Sequence, residues 1–247
     1  HGKPHSMVHL TGRRDRVATL ANAALLSGLA LMGIVAMRSS PAVLALVAAC
    51  CGLGYAYQGP PLRLGYHGLG EPLCWLAFGP CATAATLLAL APAPGGGGVG
   101  VALPSALAAI PWAEALVLGG GPALATTLVR FCSHFHQVGE DAAHGKRSPV
   151  VRLGTERAAA LVPWFVAGTL GLEGAPVVLG WWPWPALLGM IGLLPARALI
   201  RLLSQHHHRP ERISECKFLA LRFQTLNGLG LACGLAIGPW LSRWTTG

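Results

Sequence analysis

Long apolar runs alternate with short polar segments along the chain, and the runs themselves show no internal periodicity. Neither the two-residue alternation of a half-buried strand nor the stripe of an amphipathic helix is visible within them. A run that is apolar on all sides for about 20 residues is typical of a helix that crosses the roughly 30 Å core of a bilayer. Seven such runs lie at about residues 17–37, 41–57, 72–92, 107–131, 158–180, 184–203 and 218–241. The pattern predicts an all-α, multi-span transmembrane protein with a single domain over residues 1–247.

Composition supports a membrane location. Hydrophobic residues make up 53% of the 247 residues, charged residues only 11%, and the mean hydropathy is +0.53. A soluble domain carries about 25% charged residues, so an ordinary water-soluble enzyme is excluded. The seven cysteines form no Cys-x-x-Cys pair, and most lie in or beside apolar runs. They are predicted to pack as small apolar side chains, without disulfides or zinc.

The basic residues are distributed unevenly between the two predicted sides of the membrane. The formal net charge is +9, but these residues lie in short loops, so we expect no nucleic-acid partner. If successive loops alternate sides, only Arg38 and Arg243 fall on one side. Thirteen fall on the other: Lys3, Arg13, Arg14, Arg16, Arg63, Lys146, Arg147, Arg152, Arg157, Arg201, Arg209, Arg212 and Lys217. Basic loops stay on the uncrossed side, so a reaction centre should open there.

The segment "FHQVGEDAAHGKRSPVVRLGT", residues 135–155, concentrates acids and bases in a chain that has few of either. Glu140 and Asp141 are oxygen ligands of the kind that Mg²⁺ prefers, and Mg²⁺ completes its shell with water and substrate phosphate. Lys146 and Arg147 follow closely and suit phosphate oxygens. Together they indicate a site for a metal-bound diphosphate. The alternative is a solvated loop whose cations only fix topology.

A second polar segment, "YAYQGPPLRLGYHGLGEP", falls on the same predicted side. Pro60 and Pro61 stiffen it, Arg63 is placed to contact a phosphate, and Glu71 lies where the next apolar run begins. The alternative is a tight connector with an ordinary topogenic arginine.

Five charged residues interrupt the apolar runs: Glu114, Glu173, Arg130, Arg197 and Arg222. Burying a charge in a bilayer is energetically costly, so each of them suggests a function unless its side chain reaches the membrane–water interface. In the last run, Gly230, Gly234 and Gly238 recur every fourth residue. That spacing predicts close packing against a neighbouring helix.

Several of these motifs resemble one known family. "GEDAAHGKRSPVVRLG" (139–154) resembles the second acidic motif of the UbiA superfamily of membrane prenyltransferases. "YQGPPLRLGYHGLGEPLCWLAFGP" (57–80), "HSMVHLTGRRDRV" (5–17) and "CKFLALRFQTLNGLGL" (216–231) are similar to its 1,4-dihydroxy-2-naphthoate phytyltransferase branch of oxygenic phototrophs. This chain has Gln137 where the superfamily often has Asp, and Gly139 where the branch usually has another acid.

The resemblance implies a UbiA-like bundle of nine transmembrane helices around a central cavity, with an acidic motif on each side of it. The first motif, an Asn-Asp-x-x-Asp pattern, follows the second helix of the family. With seven runs and no such pattern, this sequence is expected to lack two helices and the first metal site. We therefore expect these residues alone to be inactive.

The implied reaction is Mg²⁺-dependent prenyl transfer. A phytyl or other polyprenyl group would move from its diphosphate to 1,4-dihydroxy-2-naphthoate, with decarboxylation, in phylloquinone or menaquinone biosynthesis. The expected location is a chloroplast membrane, or the plasma or thylakoid membrane of a cyanobacterium. The implied site comprises Asp141 and Glu140 on the metal, Lys146, Arg147, Arg63 and Arg152 on the diphosphate, and Tyr57, His136, Gln137 and Glu71 at the substrate cavity.

Two alternatives remain at this stage. A sister prenyltransferase would use homogentisate, hydroxybenzoate or a chlorophyllide, with the same diphosphate chemistry. A transporter would show inverted repeats and functional charges near the middle of the membrane, whereas the dense polar chemistry here lies in loops on one side and no repeat is evident.

The charge distribution predicts that residues 58–71, 132–157 and 201–217 share one membrane face. In a background without native cysteines, single cysteines at His67, His144 and Glu211 should react with an impermeant maleimide from the same side. A cysteine at Arg38 should react from the opposite side and serves as the control. Labelling of positions 67 and 144 from opposite sides would contradict the span assignment.

Overall fold

Each apolar run folds into a helix in the structure, a computed structural model that describes residues 14–91 and 100–245. No strand occurs among these residues, so the all-α class is confirmed. The helices are α1 (Arg14–Arg38), α2 (Ala42–Gln58), α3 (Gly70–Leu90), α4 (Leu103–Ala108), α5 (Trp112–Ser133), α6 (Val138–Ala143), α7 (Pro149–Val178), α8 (Leu193–His206) and α9 (Cys216–Thr245). Most of the N-terminal motif at 5–17 and the glycine linker Gly95–Gly98 lie outside the described residues.

Five helical stretches of the described chain are long and apolar enough to cross a membrane: Asp15–Arg38, Gly70–Leu90, Trp112–His136, Pro149–Val178 and Trp184–His206. The third and fifth stretches include 3₁₀ turns, at His134–His136 and Trp184–Gly192. Helix α2 is apolar but has only 17 residues. Helix α9 is long enough, but Arg222, Gln224 and Asn227 lower its hydropathy.

Large apolar side chains point outward along these helices. Leu20, Leu90 and Val178 are 71%, 79% and 87% exposed. Water would penalise such contiguous apolar surface, whereas hydrocarbon chains do not. The outward apolar surface and the span lengths identify an integral, multi-pass membrane protein.

The segment at 132–157, treated above as a loop, is largely helical. The 3₁₀ turn at His134–His136 continues α5 and is followed by α6. Helix α7 begins at Pro149 rather than near residue 158. Pro149 suits the first position of a helix because its fixed φ matches and its missing N–H would have no partner there. At Gly154 the backbone leaves the helical region, with φ 80° and ψ 159°. Glycine adopts this conformation without a Cβ clash, so the first turn of α7 is set apart from the membrane-crossing part.

The described chain divides into two compact units. The first takes in residues up to Ala48 together with Ala85–Ile110, and the second comprises Ala49–Ala84 and Pro111–Gly247. Within the first, Val43 and Leu46 of α2 are buried. Within the second, one apolar core joins α5, α7, α8 and α9, and its largest buried members are Phe131, Phe223, Leu128, Leu199, Leu203 and Ile213.

Helix α9 packs backbone to backbone against the 3₁₀ turn at Trp184–Gly192. A Cβ built on Gly230 would collide with the carbonyl oxygen of Leu188, and one on Gly234 with that of Pro185. The four-residue glycine spacing thus allows the close approach that the sequence predicts.

A buried polar pair adds to this contact. Asn227 Nδ2 of α9 donates hydrogen bonds to Glu173 Oε2 of α7, at 2.7 Å, and to the carbonyl of Gly189, at 3.2 Å. Both side chains are buried. The intramembrane Glu173 therefore has a partner that links α7, α9 and the 3₁₀ turn, as membrane-embedded polar groups require.

We expect Gly234→Ala to destabilise the protein by about 1–3 kcal/mol, because the new methyl group meets rigid backbone atoms. Thermal unfolding in detergent measures the change. Gly228→Ala is the matched control, since a Cβ there has no neighbour within 4 Å. Equal melting temperatures for the two variants would contradict the close packing of α9.

Candidate active site

A chain of charged side chains runs through the second unit, from the start of α3 to the segment after α6. Glu71 Oε1 lies 3.1 Å from His134 Nε2, and His134 Nδ1 lies 3.2 Å from Asp141 Oδ2. Lys146 Nζ donates a hydrogen bond to Asp141 Oδ1 at 3.1 Å. We refer to Glu71, His134, Asp141 and Lys146 as the ion-pair chain.

Its central members are withdrawn from solvent. His134 is 3%, Asp141 6% and Glu71 8% exposed. A buried carboxylate is tolerated only when cations or hydrogen-bond donors compensate its lost hydration. The basic groups on both oxygens of Asp141 supply that compensation and fix its orientation.

Local backbone structure explains how Asp141 reaches His134. The 3₁₀ turn at His134–His136 ends α5, and α6 starts at Val138, so the chain turns back toward the His134 side chain. The N–H of Asp141 donates to the carbonyl of Gln137 at 2.7 Å, and the N–H of Lys146 donates to the carbonyl of Asp141 at 2.8 Å. This compact turn places Lys146 over the carboxylate that it contacts.

The two polar segments predicted to share a membrane face are in contact. The Arg147 N–H donates to the carbonyl of Tyr66 at 2.9 Å, and Arg152 Nη1 lies 3.5 Å from the carbonyl of His67. Arg63 stacks near the Tyr66 ring, with Cζ 5.9 Å from the centroid. The side chains of Arg63, Arg147 and Arg152 are exposed. Arg63, Arg147 and Arg152 thus lie in or against one loop, with Arg147 held to it through the backbone.

A cavity of about 320 Å³ adjoins the other end of the ion-pair chain. Tyr57 and Arg130 lie in its wall, and the rest of the wall is mainly apolar, including Leu53, Leu73, Cys74, Ala77 and Phe78. Arg130 Cζ lies 4.2 Å from the centre of the Tyr57 ring, and its Nη2 donates a hydrogen bond to the Tyr57 hydroxyl. Arg130 Nε lies 3.7 Å from Glu71 Oε1, which joins the cavity to the ion-pair chain.

Two glycines make room for the stacked Tyr57 and Arg130. A Cβ on Gly65 would collide with the Tyr57 ring, and a Cβ on Gly70 would collide with Arg130 Nη2. Gly70 also directly precedes Glu71 at the start of α3. The glycines of the second polar segment therefore define the cavity wall as well as the turns.

The remaining predicted site residues lie elsewhere. Glu140 is exposed on α6, and its carbonyl accepts a hydrogen bond from His144 Nδ1 at 2.8 Å. His136 is exposed, with Nε2 3.4 Å from Cys216 Sγ, and Gln137 is half-buried. Of the four residues predicted at the substrate cavity, Tyr57 lines the cavity described here and Glu71 contacts its wall through Arg130. His136 and Gln137 do not line it.

Sequence reasoning missed two residues that organise this site. His134 gave no signal of its own, because a histidine at the end of an apolar run is usually a core or interface residue. Arg130 was noted only as a charge inside a span, yet it lies one helical turn before His134 and so presents its side chain on the same face of α5.

Among the described residues, no group of three or more His, Cys, Asp or Glu side chains is arranged to bind a metal. The arrangement instead offers two buried carboxylates, Glu71 and Asp141, a third in solvent, Glu140, and several basic side chains around them. Such a site can bind an anion directly, and a divalent cation that arrives with an anionic substrate.

Comparison with known proteins gives a consistent family. Residues 3–224 match the UbiA prenyltransferase family. The chain is 38% identical over 233 residues to 2-carboxy-1,4-naphthoquinone phytyltransferase of Synechocystis sp., covering 94% of this chain and 70% of that protein. It is 38% identical over 242 residues to the chloroplastic 2-carboxy-1,4-naphthoquinone phytyltransferase of Arabidopsis thaliana, covering 95% of this chain and 59% of that protein.

No solved structure matches the chain significantly. The family match nevertheless extends over most of its length and includes both polar segments and the cavity. Together with the membrane-spanning helices, these findings show that the chain belongs to the UbiA prenyltransferase family.

Proposed function

We propose that the protein transfers a phytyl or other polyprenyl group from its diphosphate to 1,4-dihydroxy-2-naphthoate, with loss of the carboxylate. This acceptor is the two-electron-reduced form of the 2-carboxy-1,4-naphthoquinone in the relatives' names. The observation that carries the proposal is the buried Asp141, held between His134 and Lys146 beside the exposed Arg63, Arg147 and Arg152. The product would be a precursor of phylloquinone or menaquinone.

Carboxylate oxygens are the ligands that Mg²⁺ prefers, and this segment offers two. Asp141 already contacts Lys146 at Oδ1 and His134 at Oδ2, so a metal ion would have to displace one of these basic groups. Glu140 is the neighbour of Asp141 on α6 and is exposed. Two carboxylates completed by water and phosphate oxygens are a usual Mg²⁺ arrangement. Asp141 and Glu140 would hold the ion, which would supply positive charge to the diphosphate as it leaves.

The cations of the chain would hold the diphosphate. Lys146, Arg147, Arg63 and Arg152 would contact its oxygens as negative charge develops on them. The C–O bond of the allylic diphosphate breaks, and its electron pair leaves with the diphosphate. The naphthoate ring forms a C–C bond to the allylic carbon, CO₂ departs, and the electrons of its bond return to the ring. The apolar wall would exclude water, which otherwise captures the carbocation.

The relatives also suggest where the protein works. One is cyanobacterial and the other is described as chloroplastic. We propose a chloroplast membrane, or the thylakoid or plasma membrane of a cyanobacterium, as the location. The second candidate function is prenyl transfer to homogentisate, hydroxybenzoate or a chlorophyllide, since the diphosphate site would serve any of these acceptors.

An acceptor panel tests the function. The protein is expressed with any residues that natively flank this chain and is reconstituted in vesicles with Mg²⁺ and phytyl diphosphate. We expect it to prenylate 1,4-dihydroxy-2-naphthoate. It should use homogentisate, 4-hydroxybenzoate and chlorophyllide at least about tenfold less well in kcat/KM, which corresponds to one lost polar contact. Product and CO₂ are measured by mass spectrometry and by release of label from the carboxylate. Preference for another acceptor would replace the proposal with the second candidate.

Asp141→Asn should lower kcat by roughly 10²–10³, because it removes a charge that the reaction depends on. Amounts of protein in the membrane and its melting temperature control for misfolding. Glu211→Gln is the matched variant, since Glu211 is an exposed carboxylate in the loop between α8 and α9 and should be neutral. Near-normal turnover of Asp141→Asn would exclude Asp141 as a metal ligand.

A further inference from the structure

We propose that Arg130 binds the carboxylate of the aromatic acceptor, whose fused rings occupy the cavity beside Tyr57; this rests on the proposed function. The family match by itself assigns no role to Arg130. The inference follows from the guanidinium group of Arg130, which the described part of the chain places in an otherwise largely apolar wall. It would make Arg130 a specificity-determining residue for acceptors that carry a carboxylate.

The guanidinium of Arg130 is held in place but not saturated. Stacking at 4.2 Å and the hydrogen bond to the Tyr57 hydroxyl fix its plane. Its Nε is buried, yet it has no hydrogen-bond partner among the described residues, because the contact to Glu71 Oε1 is long at 3.7 Å. A buried donor without an acceptor is costly and is normally satisfied by a ligand or water. A planar fork of N–H groups is also the geometry that binds carboxylates best.

Size and shape favour a compact ring as the occupant. Small-molecule sites span about 300–1,000 Å³, and this cavity, at about 320 Å³, lies at the lower end. A fused aromatic ring suits a compact wall that is mainly apolar and includes Phe78. A long isoprenoid tail would exceed the space and would leave the guanidinium facing hydrocarbon.

The position of Arg130 also suits the chemistry. It is joined through Glu71 and His134 to Asp141 and Lys146, the proposed end of the diphosphate site. An acceptor anchored by Arg130 would therefore lie near Glu71, at the end of the ion-pair chain away from Lys146. The ion-pair chain would separate the two substrate anions, which repel each other.

Protection of a native cysteine tests the location. Cys74 lines the cavity, whereas Cys233 is an exposed cysteine of α9 outside it. In the reconstituted protein, saturating 1-hydroxy-2-naphthoate should slow methyl methanethiosulfonate labelling of Cys74 several-fold, as read by mass spectrometry, and leave Cys233 unchanged. Three results would overturn the proposal. In the first, the naphthoate does not protect Cys74; in the second, it protects Cys74 and Cys233 equally; in the third, farnesol protects Cys74 and the naphthoate does not.

A charge cycle tests the residue. Equilibrium binding of 1-hydroxy-2-naphthoate and of 1-naphthol, which lacks the carboxylate, is measured for each variant. The native protein should prefer the naphthoate by about tenfold or more, the usual strength of one charge-assisted hydrogen bond. Arg130→Gln should bring the ratio of dissociation constants close to one, and Arg130→Lys should keep part of it. Arg222→Gln removes another intramembrane arginine, which is exposed on α9, and should leave the ratio unchanged.

The two sets of experiments separate failures. An unchanged ratio in Arg130→Gln, or no preference in the native protein, would overturn the assignment even if prenyl transfer occurs. If the ratio of dissociation constants falls to about one in Arg130→Gln and the naphthoate protects Cys74, the assignment of Arg130 holds. Should the acceptor panel then show no transfer, only the proposed reaction would be wrong. If Arg130→Gln does not fold, the Arg130→Lys ratio and native Cys74 protection decide the proposal.

Discussion

Burial of the Asp141 carboxylate is the constraint on which the rest of the site depends. A carboxylate so far from water needs positive partners, and the chain supplies them from two directions, His134 at the end of α5 and Lys146 after α6. His134 in turn needs Glu71 at the start of α3. One buried charge thereby sets the relative positions of α3, α5 and α6 and draws the two polar segments together.

The cavity follows from the same requirement. Glu71 is part of the ion-pair chain and also approaches Arg130, which stacks on Tyr57 in the cavity wall. Gly65 and Gly70 lack the side chains that would prevent this stack. The polar groups needed to hold the acid are thus continuous with those that line the apolar space. A prenyltransferase requires this adjacency of unlike environments, because a charged diphosphate must leave beside a region from which water is excluded.

The sequence predicts the helices well and the site only in part. Apolar runs of these lengths favour membrane-spanning helices over other structures, and α1, α2, α3, α5, α7, α8 and α9 largely match them. The glycine spacing of α9 predicts its close contact. The short helices α4 and α6 correspond to no predicted run. The start of α7 was misplaced because a charged stretch appears loop-like although Pro149 begins a helix. The sequence groups Asp141 and Lys146 in one segment, but it predicts them on a metal ion and a diphosphate and does not predict the ion pair between them. Contacts between residues far apart in sequence, such as Glu71 with His134, depend on tertiary packing, which a local sequence pattern does not predict. The seven-of-nine helix count, the single domain and the site roles stay predictions.

The continuity of the ion-pair chain also constrains how this sequence can change over time. Because each carboxylate is shared between two basic neighbours, the loss of one member leaves the next unpaired in a buried place, and the penalties of separate substitutions do not add. A change at Glu71 should therefore be tolerated mainly alongside a compensating change at Arg130 or His134. Residues far apart in the chain are then expected to vary together among descendants, as one inherited unit and not as independent positions.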